Sequence, residues 1–201
     1  MIRGTPVVRR VQLPALALAA LAAIACGPDS PSPSSPSEGI TTSHHGSGSD
    51  GLLFQARLAP VTGGPGQGVL LLEVADGQLT AKVRATGLEP LAVIPQHIHR
   101  NPTCNPGGLI LLNLDAGLTV AGEGPGVGPA YPRANDGGVV SYDASRSLAD
   151  LIDAANQHQS AGVTTVEELL NWLDLPNRNM HTHQPVPPFT PVGCGPIEQI
   201  R

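Results

Sequence analysis

Apolar and polar positions alternate most cleanly over residues 79–86, where Leu79, Ala81, Val83 and Ala85 share one parity and Thr80, Lys82, Arg84 and Thr86 the other. A strand sends successive side chains to opposite faces, so the pattern predicts a half-buried antiparallel strand. Asp76-Gly77 just before it is a two-residue hairpin signal, with the apolar run 69–74 as the strand on its other side. Further strands are predicted at 52–58, 91–99, 109–114, 138–142, 179–184 and 192–200, with a glycine-rich connection over 60–68. Residues 115–138, rich in Gly and Pro, read as a long surface loop around a short segment at 119–121.

Two stretches break the period of two. Leu148, Leu151, Ile152 and Ala155 stand at i, i+3, i+4 and i+7, which predicts a helix over 145–158 with Ser145 as its N-cap. Residues 165–173 predict a second helix, opened by a Thr165–Glu168 capping box and closed before Pro176. The predicted fold class is therefore mostly β, with a short two-helix insertion.

Composition narrows the class. The chain has 201 residues with 40% hydrophobic but only 2% aromatic content, so its core must be built from Leu, Val, Ile and Ala. High counts of glycine (24) and proline (21) favour turns and short strands over long helices. The net charge is −5 and Lys82 is the one lysine, which leaves no basic patch for nucleic acid.

The N-terminus predicts export. Arg3, Arg9 and Arg10 precede an apolar run over 11–25 that is too short to span a bilayer comfortably. It ends Ala23-Ile24-Ala25-Cys26, small residues before a cysteine, which resembles the lipobox of bacterial lipoproteins; Cys26 would then carry the lipid and tie the protein to a membrane. Residues 1–25 are thus expected to be a lipoprotein signal peptide and 26–50 a Ser/Pro/Gly tether that cannot bury a core. Residues 51–201 are expected to be the folded domain, placed in the periplasm or at the cell surface. His44-His45 in the tether reads as solvated.

The candidate chemistry lies in two His-x-His pairs, His97-Ile98-His99 and His181-Thr182-His183. In a strand each pair presents both rings on one face, where two imidazoles can ligate one metal ion with little extra ordering. The four are expected to meet. Neutral imidazoles suit Cu(II), Zn(II) and Ni(II), and a four-nitrogen planar set favours copper. Met180 offers an axial thioether but reads better as packing. Asp143 and Asp150 are candidate acceptors for ligand imidazoles, and His158 reads as solvent-exposed. With Cys26 lipidated, Cys104 and Cys194 remain, a lone pair that an oxidising compartment favours as a disulfide; metal ligation by either is the alternative. No serine elbow, phosphate loop or carboxylate pair is evident.

Gly87-Leu88-Glu89-Pro90, His97-Ile98-His99, Cys104 and Gly107-Gly108, followed by Gly193-Cys194-Gly195-Pro196-Ile197, resemble the copper-zinc superoxide dismutases. There a Gly-Leu-x-Pro turn precedes a His-x-His copper strand, and two cysteines in these positions form a disulfide. The segment from Leu58 to His99 is also similar to the CHRD modules related to chordin. Both resemblances imply a Greek-key β-sandwich, and the first implies copper on His97, His99 and His181 or His183. Residues 105–157 contain no histidine, so the family's zinc site is not expected. Pro191 stands where the family carries the arginine that attracts superoxide, so dismutase activity does not follow from the resemblance. Two functions are compatible with these residues: an exported, lipid-anchored copper protein of dismutase-like fold, or a metal-free CHRD-like module of the cell envelope.

Overall fold

The structure, a computed structural model, describes residues 51–61, 63–105, 108–123, 130–186 and 189–201. The expected signal peptide, Cys26, the tether and His44-His45 lie outside the described residues, as does Gly107.

The domain is mostly β. Its strands are β1 (Leu52–Pro60), β2 (Gln67–Ala75), β3 (Gln78–Thr86), β4 (Gln96–His99), β5 (Ile110–Asn113), β6 (Val140–Ser147), β7 (Asn179–His183) and β8 (Pro191–Gln199). Two helices, α1 (Leu148–Gln159) and α2 (Val166–Leu173), sit between β6 and β7. The strands form one curled antiparallel sheet in the order β5-β4-β7-β8-β1-β2-β3-β6. β8 joins its two halves, pairing with β1 on one side and β7 on the other. After β3 the chain crosses to β4 and β5, which pair with each other, and then returns as β6 to lie against β3; this is the Greek-key connection.

The hairpin at Asp76-Gly77 has φ of 51° and 71°. Positive φ at both central residues is the type I′ condition, whose twist matches that of the flanking strands. Leu70, Leu72, Leu79, Ile98, Leu111, Leu112 and Leu114 are fully buried in the core. Each such side chain stabilises the fold by about 1.5–3 kcal/mol. In β8, Gly195 lets two backbones touch: a Cβ there would stand 2.1 Å from the Arg57 carbonyl oxygen.

Two boundaries differ from the sequence expectation. The histidine strand starts at Gln96, not at 91. Leu91 takes a left-handed φ of 58°, and Val93 makes only an isolated bridge to Arg133. The 138–142 strand runs on as β6 to Ser147, because Ser145 and Arg146 still pair with Thr80 and Leu79. The cap of α1 is therefore Ser147, whose Oγ accepts from Asp150 N at 3.0 Å, and not Ser145. The Thr165–Glu168 capping box of α2 is present.

Cys104 and Cys194 are disulfide-bonded with Cα atoms 5.9 Å apart, which removes the alternative of metal ligation by either in this oxidised form. In the chain-entropy model, closing a loop across 90 residues stabilises the fold by about 4–5 kcal/mol. The loop after β4 is also pinned by Asn179, whose Nδ2 donates to Asn101 O (2.5 Å), Asn101 Oδ1 (3.0 Å) and Thr103 O (2.9 Å). Arg178 adds a hydrogen bond to Arg100 O at 2.7 Å. Arg100 in turn lies over the Trp172 ring at 5.3 Å and donates to Gln159 at 2.9 Å, tying this loop to the two helices.

Candidate metal centre

β4 and β7 are neighbours, and their antiparallel register sets His97 directly opposite His181. Because side chains alternate, His97, His99, His181 and His183 share one face of the sheet, while Ile98 and its partner Met180 share the other and are fully buried in the core. Met180 therefore faces away from the imidazoles and is a packing residue. The rings lie within touching distance: centroids are 4.4 Å apart for His99–His181, 5.0 Å for His97–His183 and 5.5 Å for His181–His183.

The outward face of β4 and β7 is not open to water. Every residue of both strands is buried, and the histidines are only 2–8% exposed. Loops from three parts of the chain roof the cluster, and each holds a ring. The His99 Nδ1–H donates to Gly108 O at 2.9 Å, and that of His183 donates to Phe189 O. A carbonyl oxygen only accepts, so in both neutral rings the proton sits on Nδ1 and the lone pair on Nε2. His97 Nδ1 lies 3.1 Å from Asn113 Oδ1 and 2.9 Å from the Tyr131 hydroxyl, which itself donates to Asn113 Oδ1. The carboxamide oxygen, an acceptor only, fixes His97 in the same tautomer. Asn113 is set in turn by Thr119 (3.0 Å), whose hydroxyl donates to the buried Asp115 at 2.9 Å.

Three atoms are left over. His99 Nε2, His181 Nε2 and His183 Nε2 are buried and have no hydrogen-bond partner. A buried polar atom without a partner is a standing penalty of about 1–3 kcal/mol, so three converging on one spot call for a shared ligand. Ring nitrogens of these three histidines lie within 4.8 Å of one another, a span that small side-chain rotations close to the edges of a metal coordination shell. Burial disfavours the charged imidazolium. It lowers His97 and His181 to about 3, with neighbouring imidazoles adding to the shift, and lowers His99 and His183 as well. The rings are thus neutral near pH 7, as metal ligands must be.

The four sequence-predicted histidines come together; three offer free Nε2 atoms and His97 stands beside them, oriented by Asn113 and Tyr131. Asp143 and Asp150 are not their acceptors. Both are exposed, Asp143 opposite Lys82 in β6 and Asp150 at the start of α1. The acceptors are instead Gly108 O, Phe189 O and Asn113 Oδ1. The two carbonyls leave no mark in the sequence, whereas Asn113 was readable as the single polar residue of an apolar strand. A cavity of about 370 Å³ lined by Leu88, Glu89, Val186 and Val192 adjoins the centre, and among the four histidines only His183 reaches it.

Comparison with family models gives no match, and none is found among curated proteins. Among solved structures, the chain is similar to superoxide dismutase 5 of Candida albicans. A point-mutant form aligns at 12% identity and a TM-score of 0.46 over 75% of this chain and 93% of that one. The Cu(II) form aligns at 13% identity and a TM-score of 0.45 over 75% and 94%.

Proposed function

We propose that this protein binds a single copper ion on the Nε2 atoms of His99, His181 and His183, with His97 as the fourth imidazole of the centre. The observation that carries it is the convergence of three buried, unpartnered nitrogens whose protons are held elsewhere in two rings by backbone carbonyls. Imidazole nitrogen without thiolate or carboxylate suits copper better than calcium or magnesium. Bound there, copper would supply one-electron redox chemistry, and superoxide disproportionation is the reaction of the family the sequence resembles.

The chain's own residues limit that reaction. The roofing loops keep the imidazole edges from solvent, and Pro191 supplies no cation to draw in an anion. Carriage or storage of the metal therefore accounts for the centre better than rapid turnover. The protein would do this at the cell envelope, held by a lipid on Cys26 at the end of its tether. The test is metal analysis of untagged protein with the disulfide intact, together with Cu(II) electron paramagnetic resonance. One copper per chain, with nitrogen hyperfine structure that is altered and Cu(II) affinity that falls in His99→Ala, is the expected outcome. Protein that binds no Cu(II), and whose melting temperature does not change when Cu(II) is added, is instead a metal-free structural module.

A further inference from the structure

The disulfide is part of the wall of the same centre. His181 pairs across the β7–β8 ladder with Cys194, and one nitrogen of its ring lies within 4.8 Å of both cystine sulfurs. That nitrogen belongs to a ring which is 2% exposed and whose Nε2 has no partner. The same ring therefore lies within reach of two donor sets: the imidazoles of His99 and His183, and Cys104 Sγ and Cys194 Sγ.

We propose that reduction of Cys104–Cys194 creates a second metal site, in which the two thiolates and His181 bind a thiophilic ion such as Zn(II) or Cu(I). The reductant is a dithiol. Its thiolate attacks Cys104 Sγ, the more exposed sulfur, since Cys194 is only 3% exposed. The S–S bond breaks and Cys194 leaves as a thiolate. The reductant's second thiol then displaces Cys104, so the cystine gains two electrons and the reductant departs as its own disulfide. Metal binding takes up the two thiolates and releases any protons they carry.

The geometry needs little change. With metal–sulfur bonds of about 2.3 Å and a metal–nitrogen bond of about 2.0 Å, tetrahedral angles put the sulfurs about 3.7 Å apart and the nitrogen about 3.5 Å from each. The Cα atoms, 5.9 Å apart, allow that sulfur separation by side-chain rotation, and His181 starts within 4.8 Å of both. Cys194 and His181 are held in register by adjacent strands, and Asn179 clips the loop that carries Cys104, so reduction leaves the donors in place. The new site shares His181 with the proposed copper centre and stands without it.

The test uses the full chain carrying Cys26→Ser, reduced and titrated with Co(II) as a spectroscopic substitute for Zn(II). A near-ultraviolet thiolate-to-cobalt band should appear at one equivalent in the reduced protein and not in the oxidised one. It should vanish in Cys104→Ser and in Cys194→Ser, persist in His99→Ala, and need at least tenfold more Co(II) in His181→Ala. Circular dichroism reports folding in parallel. Absence of the band from folded, reduced protein overturns the proposal, as does a His181→Ala titration identical to the parent. Reduced protein that is unfolded and is not restored by Zn(II) overturns it too. Failure of the copper centre would appear separately, as oxidised protein that binds no Cu(II).

Discussion

Acidification should destabilise the metal-free protein well before its carboxylates titrate. His97 and His181 have folded-state values near 3 against an ordinary value of 6.5, because burial and neighbouring imidazoles disfavour the charged ring. Between those values the unfolded chain binds protons that the folded chain does not, so stability rises with pH across the window and is lost as pH falls below 6.5. Each such group approaches about 1.4 kcal/mol per pH unit well below 6.5, so the two together cost about 3.3 kcal/mol between pH 6.5 and 5. A domain of this size has only about 5–15 kcal/mol in total. The assay is urea denaturation of oxidised, chelator-treated protein at pH 7.5, 6.5, 5.5 and 5.0. With a urea slope near 2 kcal/mol per molar, the midpoint should fall by about 2 M from pH 6.5 to 5. His181→Gln should lower overall stability little at pH 5 but remove about half of the pH dependence. A midpoint that stays level from pH 7.5 to 5 would refute the neutral, buried cluster. The proposed copper centre adds a second readout, since bound Cu(II) should move the transition to lower pH.

Other perturbations separate the parts of the scaffold. Asn179→Leu strands the Asn101 and Thr103 carbonyls and should cost about 2–4 kcal/mol by thermal unfolding; a change under 0.5 kcal/mol would mean the disulfide alone holds that loop. Gly195→Ala, with its Cβ against the Arg57 carbonyl, should prevent β8 from docking on β1 and give little folded protein on expression. Glu123 is held below the usual carboxylate range by its paired hydrogen bonds to Arg146 (2.6 and 2.7 Å). Glu123→Gln should cost about 1–2 kcal/mol at pH 7, and the difference from the parent should shrink as the pH falls below 4.5, which denaturation at both pH values checks. Tyr131→Phe leaves the Asn113–His97 bond in place and should alter the Cu(II) paramagnetic spectrum, not folding stability beyond about 1 kcal/mol.

The strands that alternate on one solvated face, β3 above all, were readable because a period of two has no other physical source. The type I′ hairpin and both helices were readable for the same reason: each is a local demand met by local residues. The histidine strand was harder. Residues 91–95 look apolar enough to extend it, but Leu91 is turned out of the sheet in a left-handed conformation and is 60% exposed. Alternation placed the four imidazoles on common faces, yet only the β4–β7 register shows that those faces are one. What holds the rings was largely hidden, because a backbone carbonyl at Gly108 or Phe189 can belong to any residue type. Aspartates, the usual partners of ligand imidazoles, attracted the expectation instead and lie on exposed positions in the middle of β6 and at the start of α1.

β8 has a consequence for how the chain acquires its structure. Among the described strands it is the one hydrogen-bonded to both β1 and β7, it carries a half-cystine, and it pairs with β1 across most of the domain's sequence, as Ala59 does with Cys194. Until residues 191–199 have left the ribosome, neither half can close on the other and β1 keeps a bare edge. Closure of the sheet therefore waits on the last strand to be made, and is slow because its decisive contacts are the most distant ones, with the β1 edge open to wrong pairing in the meantime.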